Sequence, residues 1–500
     1  MIGRRSFILF LSRLLSSALA FVGLYFMTRY LGKDIYGSVT WTLAFVATFN
    51  AVSDLGFGSA HIKRISEGQD LDDCVSTFAI IKLTLTGIMV AFILVSVFVW
   101  TSVLGGTLEE TSTDLILLFV LFQVLFDISS IATATFQAKM EMAKLPLVTL
   151  IDPIVRVPLI IFVCVNFMGV IELAFTYVIG ALAVAIMALY LLFRDHIKWR
   201  RPTLFRSYYK FALPLALIAI ISVLSSTMDK LLLGFFWTSG EVGLYSAPQV
   251  FLGVFAAIST AVAALTFPSF SKLHSEGNLK QIRTLTRQAE RYIMMIGLPV
   301  SIVIIMFPFE VCLVLLGPLF EESGKAIGIM AVTNLIMMLN AVHASQIIAV
   351  DRPDLSARIT LMTFVVSLGM FLLFIPDSFL GFGLGLSFTG AAIALLIGTT
   401  FNFLVIRYVV WHLTGTTTDP RLALQLLAGV AAAVALALCG MFIEVSSWFM
   451  LVVFGLMSIG TFILTLYALK EFTREDYRFF MELANVKKMI SYFKDELKKK

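Results

Sequence analysis

Apolar runs of about twenty residues recur along the whole chain, and each is long enough to cross the hydrocarbon core of a bilayer as a helix. The stretch from 83 to 100, LTLTGIMVAFILVSVFVW, carries no charge at all. Apolar residues make up 59% of the 500 residues and charged residues 14%, against about 25% charge in an ordinary soluble domain. Mean hydropathy is +0.95. A soluble core has no use for so much apolar surface. A membrane β-barrel fits no better, because its strands read as short alternating segments, not long continuous ones. The expected fold class is an all-α polytopic membrane protein.

Breaks of charge and turn residues divide the runs into about fourteen spans: 7–31, 36–60, 75–104, 113–138, 145–168, 170–193, 208–236, 243–270, 289–316, 323–350, 356–376, 382–411, 421–443 and 446–470. The pairs meeting near Gly169 and Glu444 have the shortest breaks. The first span runs past Phe26 with no small-residue cleavage site, so it is expected to be a span and not a cleaved signal. One alternate set of loops holds the cations: Lys63 and Arg64, Lys139 and Lys144, the run from Arg194 to Lys210, then Lys272 to Arg287, Arg352, Arg358, Arg407 and Arg421. The opposite set offers Lys33 and Lys325. The positive-inside rule then puts both termini in the cytoplasm, and the expected location is a plasma membrane. Residues 471–500 close the chain with apolar positions at helical spacing and lysines opposite, as in a basic amphipathic helix on an anionic leaflet. Cys74, Cys164, Cys312 and Cys439 are scattered without a CxxC pair and imply neither disulfide nor metal.

The chain also echoes itself. MTRYLGKDIYGSVTWTLAF (27–45) and MDKLLLGFFWTSGEVGLYSAPQVFLGV (228–254) each end a helix with a cation shortly before a glycine. A short loop with a Gly/Tyr pair follows, and then a new span. The copies lie six spans apart, with the most basic loop, RDHIKWRRPTLFRSYYK (194–210), between them. An even spacing makes both copies enter the membrane in the same direction, as in parallel repeats with a site between the halves. This organises the chain as an N-lobe (1–193), a basic cytoplasmic linker (194–210), a C-lobe (211–412), two appended spans (413–470) and the terminal helix.

These stretches carry a family resemblance. SRLLSSALAFVGLYFMTRYLGKDIYGSVTWTLAFVATFNAVSDLGFGSAHIKR, near the start, is similar to the opening of polysaccharide-biosynthesis membrane proteins, the Wzx-type flippases. Their MOP superfamily also holds the MATE drug exporters and the lipid II flippase MurJ. KFALPLALIAIISVLSSTMDKLLLGFF, FPSFSKL and FTGAAIALLIG in the second half resemble the same family. The resemblance implies two pseudo-symmetric six-helix lobes forming a V around a central cavity, with two helices added. The implied activity is moving lipid-linked oligosaccharide to the outer leaflet by alternating access, for surface polysaccharide such as O-antigen or for glycoprotein glycans.

A charge at the bilayer centre costs roughly 2.5–3.5 kcal/mol on insertion scales, so each one needs a solvated or paired place. Arg13, Arg29 and Lys82 lie within snorkelling reach of a span end. Arg156 lies midway along its span, one turn after Asp152, between Pro153 and Pro158. Asp54 precedes Gly56 and Gly58, Asp127 follows Gln123 by one turn, and His343 shares its span with Asn334. Asp229 and Lys230 are sequence neighbours and point about 100° apart on a helix. An anionic (pyro)phosphate on a polyprenyl carrier calls for a few cations in a wet cavity open to lipid. The candidates are Arg29, Lys82, Arg156 and Lys230, arginine as a bidentate grip and lysine as a point charge. Asp54, Asp127, Asp152, Asp229 and His343 are candidates for coupling or gating. They are open to three roles: binding a coupling ion, Na+ or H+, tuning a cation, or latching alternate states.

No cofactor, metal site or nucleic-acid partner is implied. The expected partners are the lipid-linked oligosaccharide, membrane lipids and a glycan polymerase, ligase or oligosaccharyltransferase. DLDD (70–73) contains the DxD of nucleotide-sugar transferases but lies in a short loop with no domain to hold a donor sugar, and no Walker A, HExxH or GxSxG motif occurs. A transporter is therefore expected, not an enzyme. The competing transporter is a cation-coupled MATE-type exporter, whose cationic substrates favour a site of acids and aromatics. A non-transporting scaffold would have no use for charges on so many spans.

Overall fold

The computed structural model describes residues 2–99, 102, 110–141, 144–195, 197–378, 381–473 and 476–477. They form, in order, α1 (Ile2–Tyr30), α2 (Gly32–Asp54), α3 (Phe57–Ser66), α4 (Leu71–Phe98), α5 (Glu110–Ala138), α6 (Lys144–Val165), α7 (Val170–Arg194), α8 (Phe205–Phe236), α9 (Ser239–Ser275), α10 (Leu279–Met306), α11 (Pro308–Leu316), α12 (Gly324–Ala349), α13 (Pro353–Phe374), α14 (Ser387–Thr414), α15 (Arg421–Gly440) and α16 (Trp448–Ala468), with a 3-10 segment at Pro318–Ser323. Twelve described helices are long and apolar enough to cross a membrane, or thirteen when the bent pair Ser239–Val250 and Leu252–Thr260 counts as one span. The remaining expected span is α1, 29 residues long. The chain is a multi-pass α-helical membrane protein. The short breaks near Gly169 and Glu444 are both real, lying between α6 and α7 and between α15 and α16. The expected amphipathic helix lies almost wholly outside the described residues, as does the Arg13 side chain.

Local chemistry sets several boundaries. Asp70 caps α4 by accepting from the Asp73 N–H at 3.0 Å, and Asn278 caps α10 by accepting from Gln281 at 3.1 Å. Gly32 takes φ +82° at the turn between α1 and α2, a conformation glycine adopts without strain. Phe307 and Pro308 break the ninth expected span into α10 and α11. α10 also begins ten residues before that expected span, because its first turns are polar.

The chain divides into two compact units, 2–247 and 248–500. The division falls inside α9, and α8 lies against α2 and α3 within the first unit. In that unit α4 packs on α5, α5 on α7, and α6 on α7. Six spans later the second unit repeats these pairings as α10 on α12, α12 on α14, and α13 on α14. The internal repeat seen in sequence is thus a repeat of helix packing. Its two Gly/Tyr pairs also meet. A Cβ on Gly37 would stand 1.7 Å from the Ser239 carbonyl oxygen and 2.9 Å from the Gly243 nitrogen, so α2 and α9 touch backbone to backbone. The preceding glycines differ: Gly32 makes a turn, whereas Gly234 lies under Trp41, whose Cδ1 would be 2.1 Å from an added Cβ.

Candidate functional site

The first unit holds a closed polar network where α2, α4 and α5 pack. Lys82 of α4 is buried, and its ammonium carries three protons. Its three partners are the Asp127 carboxylate at 3.0 Å, the Ser53 carbonyl at 3.1 Å and the Ser53 hydroxyl at 3.2 Å. Asp127 also accepts from Thr86 at 2.9 Å and from Gln123 at 3.1 Å, and Gln123 donates on to Asn50 at 3.1 Å. The side chains of the ion pair are 4% and 3% exposed. Every donor of Lys82 is spent inside the bundle, so it presents none to a ligand. Asn50, Ser53 and Thr86 escaped sequence reasoning, because uncharged polar residues in an apolar run read as packing.

Arg156 and Asp152 form an i, i+4 ion pair at 2.7 Å on α6. The guanidinium lies 4.4 Å over the Tyr177 ring of α7. Gly180 makes the room: a Cβ there would stand 2.5 Å from Asp152 Oδ1. Arg156 is about one-fifth exposed. Arg29 is elsewhere, exposed at the end of α1 with its guanidinium 4.5 Å from the Tyr25 ring centre. Tyr25, Phe26, Tyr30 and Phe167 form a run of ring contacts at that level. Asp54 accepts from the Gly58 N–H at 3.3 Å and so bridges the turn from α2 into α3.

On α8 the neighbours Asp229 and Lys230 separate as their spacing requires. Asp229 is buried and accepts from the Tyr245 hydroxyl of α9 at 2.9 Å. The Lys230 amine stands 3.9 Å from Asp229, beyond hydrogen-bond reach, on a half-buried side chain. Of the four candidate cations Lys230 is the one on α8, and its acid is held by another residue. Tyr245 belongs to the second copy of the echoed motif, but its partner Asp229 is set only in three dimensions.

The second unit has its own buried cluster. His343 of α12 is fully buried, with Nε2 at 2.9 Å from Glu290 of α10 and 2.9 Å from Arg407 of α14. Arg407 also pairs with Glu290 and donates to Thr418 at 2.8 Å. One imidazole nitrogen therefore faces a carboxylate and a guanidinium together, which ask opposite things of it. A hydrogen on Nε2 satisfies Glu290, whereas a lone pair there satisfies Arg407. Glu290 and Arg407 were not singled out from sequence, the first being a lone acid just inside its span and the second counted among loop charges. Beside them Arg291 is buried against Glu471, at 2.5 and 2.9 Å, and Asp476, at 2.9 Å. Among the candidates the contacts pair Lys82 with Asp127, Arg156 with Asp152 and Lys230 with Asp229, while Asp54 bonds the Gly58 N–H and His343 packs with Glu290 and Arg407.

Two packed units that repeat the same helix pairings, with ion pairs buried among their spans, define the class: a polytopic membrane protein of duplicated lobes. The chain belongs to the polysaccharide biosynthesis protein family, whose model matches residues 2–274. The resemblance read from sequence is borne out. Over 403 residues the chain is 23% identical to a Haloferax volcanii protein described as a probable low-salt glycan biosynthesis flippase, Agl15, covering 80% of this chain and 82% of that one. Its fold is shared with a lipid II flippase MurJ structure in the inward closed conformation, with TM-score 0.72 and 14% identity over 92% of this chain and 98% of that one. It is shared also with an inward-facing multidrug resistance MATE transporter of the MOP superfamily, with TM-score 0.65 and 16% identity over 81% and 96%. At these identities the structures speak for the fold alone.

Proposed function

We propose that the chain is a flippase that carries a polyprenyl-(pyro)phosphate-linked oligosaccharide from the cytoplasmic to the outer leaflet by alternating access. The observation that carries this reading is the match to a glycan flippase along four-fifths of the chain. The MATE fold is equally compatible with an exporter, so fold does not choose between them; the sequence relatives favour the glycan carrier. The location proposed is the plasma membrane, with both termini cytoplasmic on the asymmetry of loop cations. Glycan-assembly enzymes are the proposed partners.

Among the candidate cations, the geometry favours Lys230 as the phosphate-attracting charge. Its amine is outside hydrogen-bond distance of its acid, and that acid is occupied by Tyr245. Arg156 is the second, with a carboxylate that a phosphate would have to displace. Arg29 is the third, at the end of α1. Lys82 serves the network with Asp127 and steadies the bundle through which the others are positioned. The test is surface-glycan display by Lys230→Ala and Arg156→Ala variants that still reach the membrane. Loss in Lys230→Ala with partial rescue by Lys230→Arg is expected. Normal display in both alanine variants would refute the cation assignment. Purified protein that extrudes ethidium along an ion gradient and leaves lipid-linked sugar in place would refute the flippase reading itself.

A further inference from the structure

The acidic motif DLDD found no use in the transport reading, yet every one of its acids is occupied. Asp72 accepts from the Lys198 N–H at 3.1 Å, and Asp73 accepts from the Thr203 N–H at 3.0 Å. Arg200 pairs with Asp70 at 3.2 Å, and its backbone N–H donates to Ser76 at 3.1 Å. The motif straps the basic linker against the start of α4. As a result the linker becomes one wall of a recess whose other walls are α4, α5 and α7.

That recess measures about 210 Å³, more than the ~150 Å³ apolar cavity that takes up a six-carbon ring. Val75 and Leu83 of α4, Ile131 of α5 and Leu192 and Phe193 of α7 line it, and Trp199 of the linker stands at its edge, 62% exposed. The one polar side chain in the lining, Ser76, is already spent on Arg200 and on the Asp72 carbonyl. Nothing within the recess suits a sugar or a free anion. Next in the chain to the lining residues Phe193, Ile197 and Trp199 come Arg194, Lys198 and, two residues on, Arg201, which are exposed and make no ion pair among the described residues. The acids that would neutralise them are tied to the linker backbone and to Arg200, and Asp195 is tied to Lys139 and Lys144 at 2.5 and 2.6 Å.

We propose that this recess is a binding site for an anionic phospholipid, with an acyl chain between α4, α5 and α7 and the headgroup on Lys198 and Arg201. The apolar lining selects a chain, the unpaired cations select negative charge over a zwitterion, and the indole of Trp199 suits the depth where chain meets headgroup. The site is independent of the transported cargo, and the linker that joins the halves of the repeat would carry its headgroup contacts.

The test uses the full chain in phosphatidylcholine vesicles containing phosphatidylglycerol, with one lipid or the other brominated on its acyl chains. The fluorescence difference between the wild type and Trp199→Phe isolates quenching of Trp199. Brominated phosphatidylglycerol should quench at mole fractions where brominated phosphatidylcholine does not, with a preference of about fivefold for each cation engaged. In Lys198→Gln/Arg201→Gln that preference should fall to near unity while the melting temperature holds. Equal quenching by both lipids, or a preference that survives in the double variant, overturns the proposal. So does displacement of phosphatidylglycerol by a polyprenyl phosphate at equal mole fraction, which would assign the recess to the cargo's tail.

Discussion

Replacing Lys82 or Asp127 separately should harm the protein far more than replacing both. Lys82→Met strips the ammonium from Asp127 and leaves a buried carboxylate with only the neutral donors Thr86 and Gln123. Asp127→Asn keeps the shape but leaves a buried ammonium with only Ser53. With both side chains under 5% exposed, breaking either half of such a pair costs about 3–5 kcal/mol. In Lys82→Met/Asp127→Asn no charge remains, and the asparagine still reaches Thr86 and Gln123. The double variant should therefore lose only about 1–2 kcal/mol, and the coupling between the two changes should exceed about 2 kcal/mol. SDS-titrated unfolding of the purified variants measures the cycle. Additivity of the two single changes to within about 0.5 kcal/mol would refute the closed-network argument. Glycan display adds a second reading: the double variant should retain it, and its loss in a folded double variant would mean that Lys82 touches the cargo after all.

Three further expectations concern single positions. Gly37→Ala must push α2 from α9, since the new carbon would overlap the Ser239 carbonyl; about 1–3 kcal/mol of stability should be lost. Gly87→Ala, with nothing within 4 Å of its Cβ, should be neutral or stabilising by up to about 1 kcal/mol in the same melt. Gly180→Ala should displace Asp152 from Arg156 and lower both the melting temperature and glycan display, whereas Gly180→Ala in an Asp152→Ala background should cost little more than that background alone.

The remaining expectation is a pH dependence. His61 of α3 is buried between Tyr208 at 3.0 Å and Thr135 at 2.9 Å, and burial pushes its pKa down from 6.5 to about 3. The unfolded chain then binds the extra proton first, so stability from this site is full above about pH 6.5 and drains as pH falls toward 3. At pH 5 that amounts to about 2 kcal/mol. His61→Gln should flatten the melting-temperature profile between pH 7 and 5; an unchanged slope would show that His61 does not set it.

Much of the molecule was legible in sequence because a bilayer imposes rules that a single chain must obey. Span length and helicity follow from hydrophobic thickness and from backbone groups that have no water to bond, and the repeat at six spans from the echoed motif. The partnering of the charges was legible only where it is local. Asp152 and Arg156 are one turn apart on one helix, so spacing alone pairs them. Lys82 and Asp127 come from different spans, as do Glu290, His343 and Arg407, and nothing in their local sequence names the partner. Asp54 shows the reverse: its neighbourhood was visible, and its contact proved to be the local turn into α3.

By itself, then, the sequence determined that the chain is a duplicated bundle of membrane helices, that charge is placed on spans where it needs a partner, and which family the chain belongs to. Tertiary structure alone decided which cations are spent on close partners and which are not. It closed three partners around Lys82, handed Asp229 to Tyr245 so that Lys230 stands apart, and used DLDD to strap down the linker. The physical reason is range. Hydrophobic periodicity is written in consecutive residues, whereas an ion pair is satisfied by whichever opposite charge lies within about 4 Å, and in a bundle that neighbour comes from any helix the packing brings alongside.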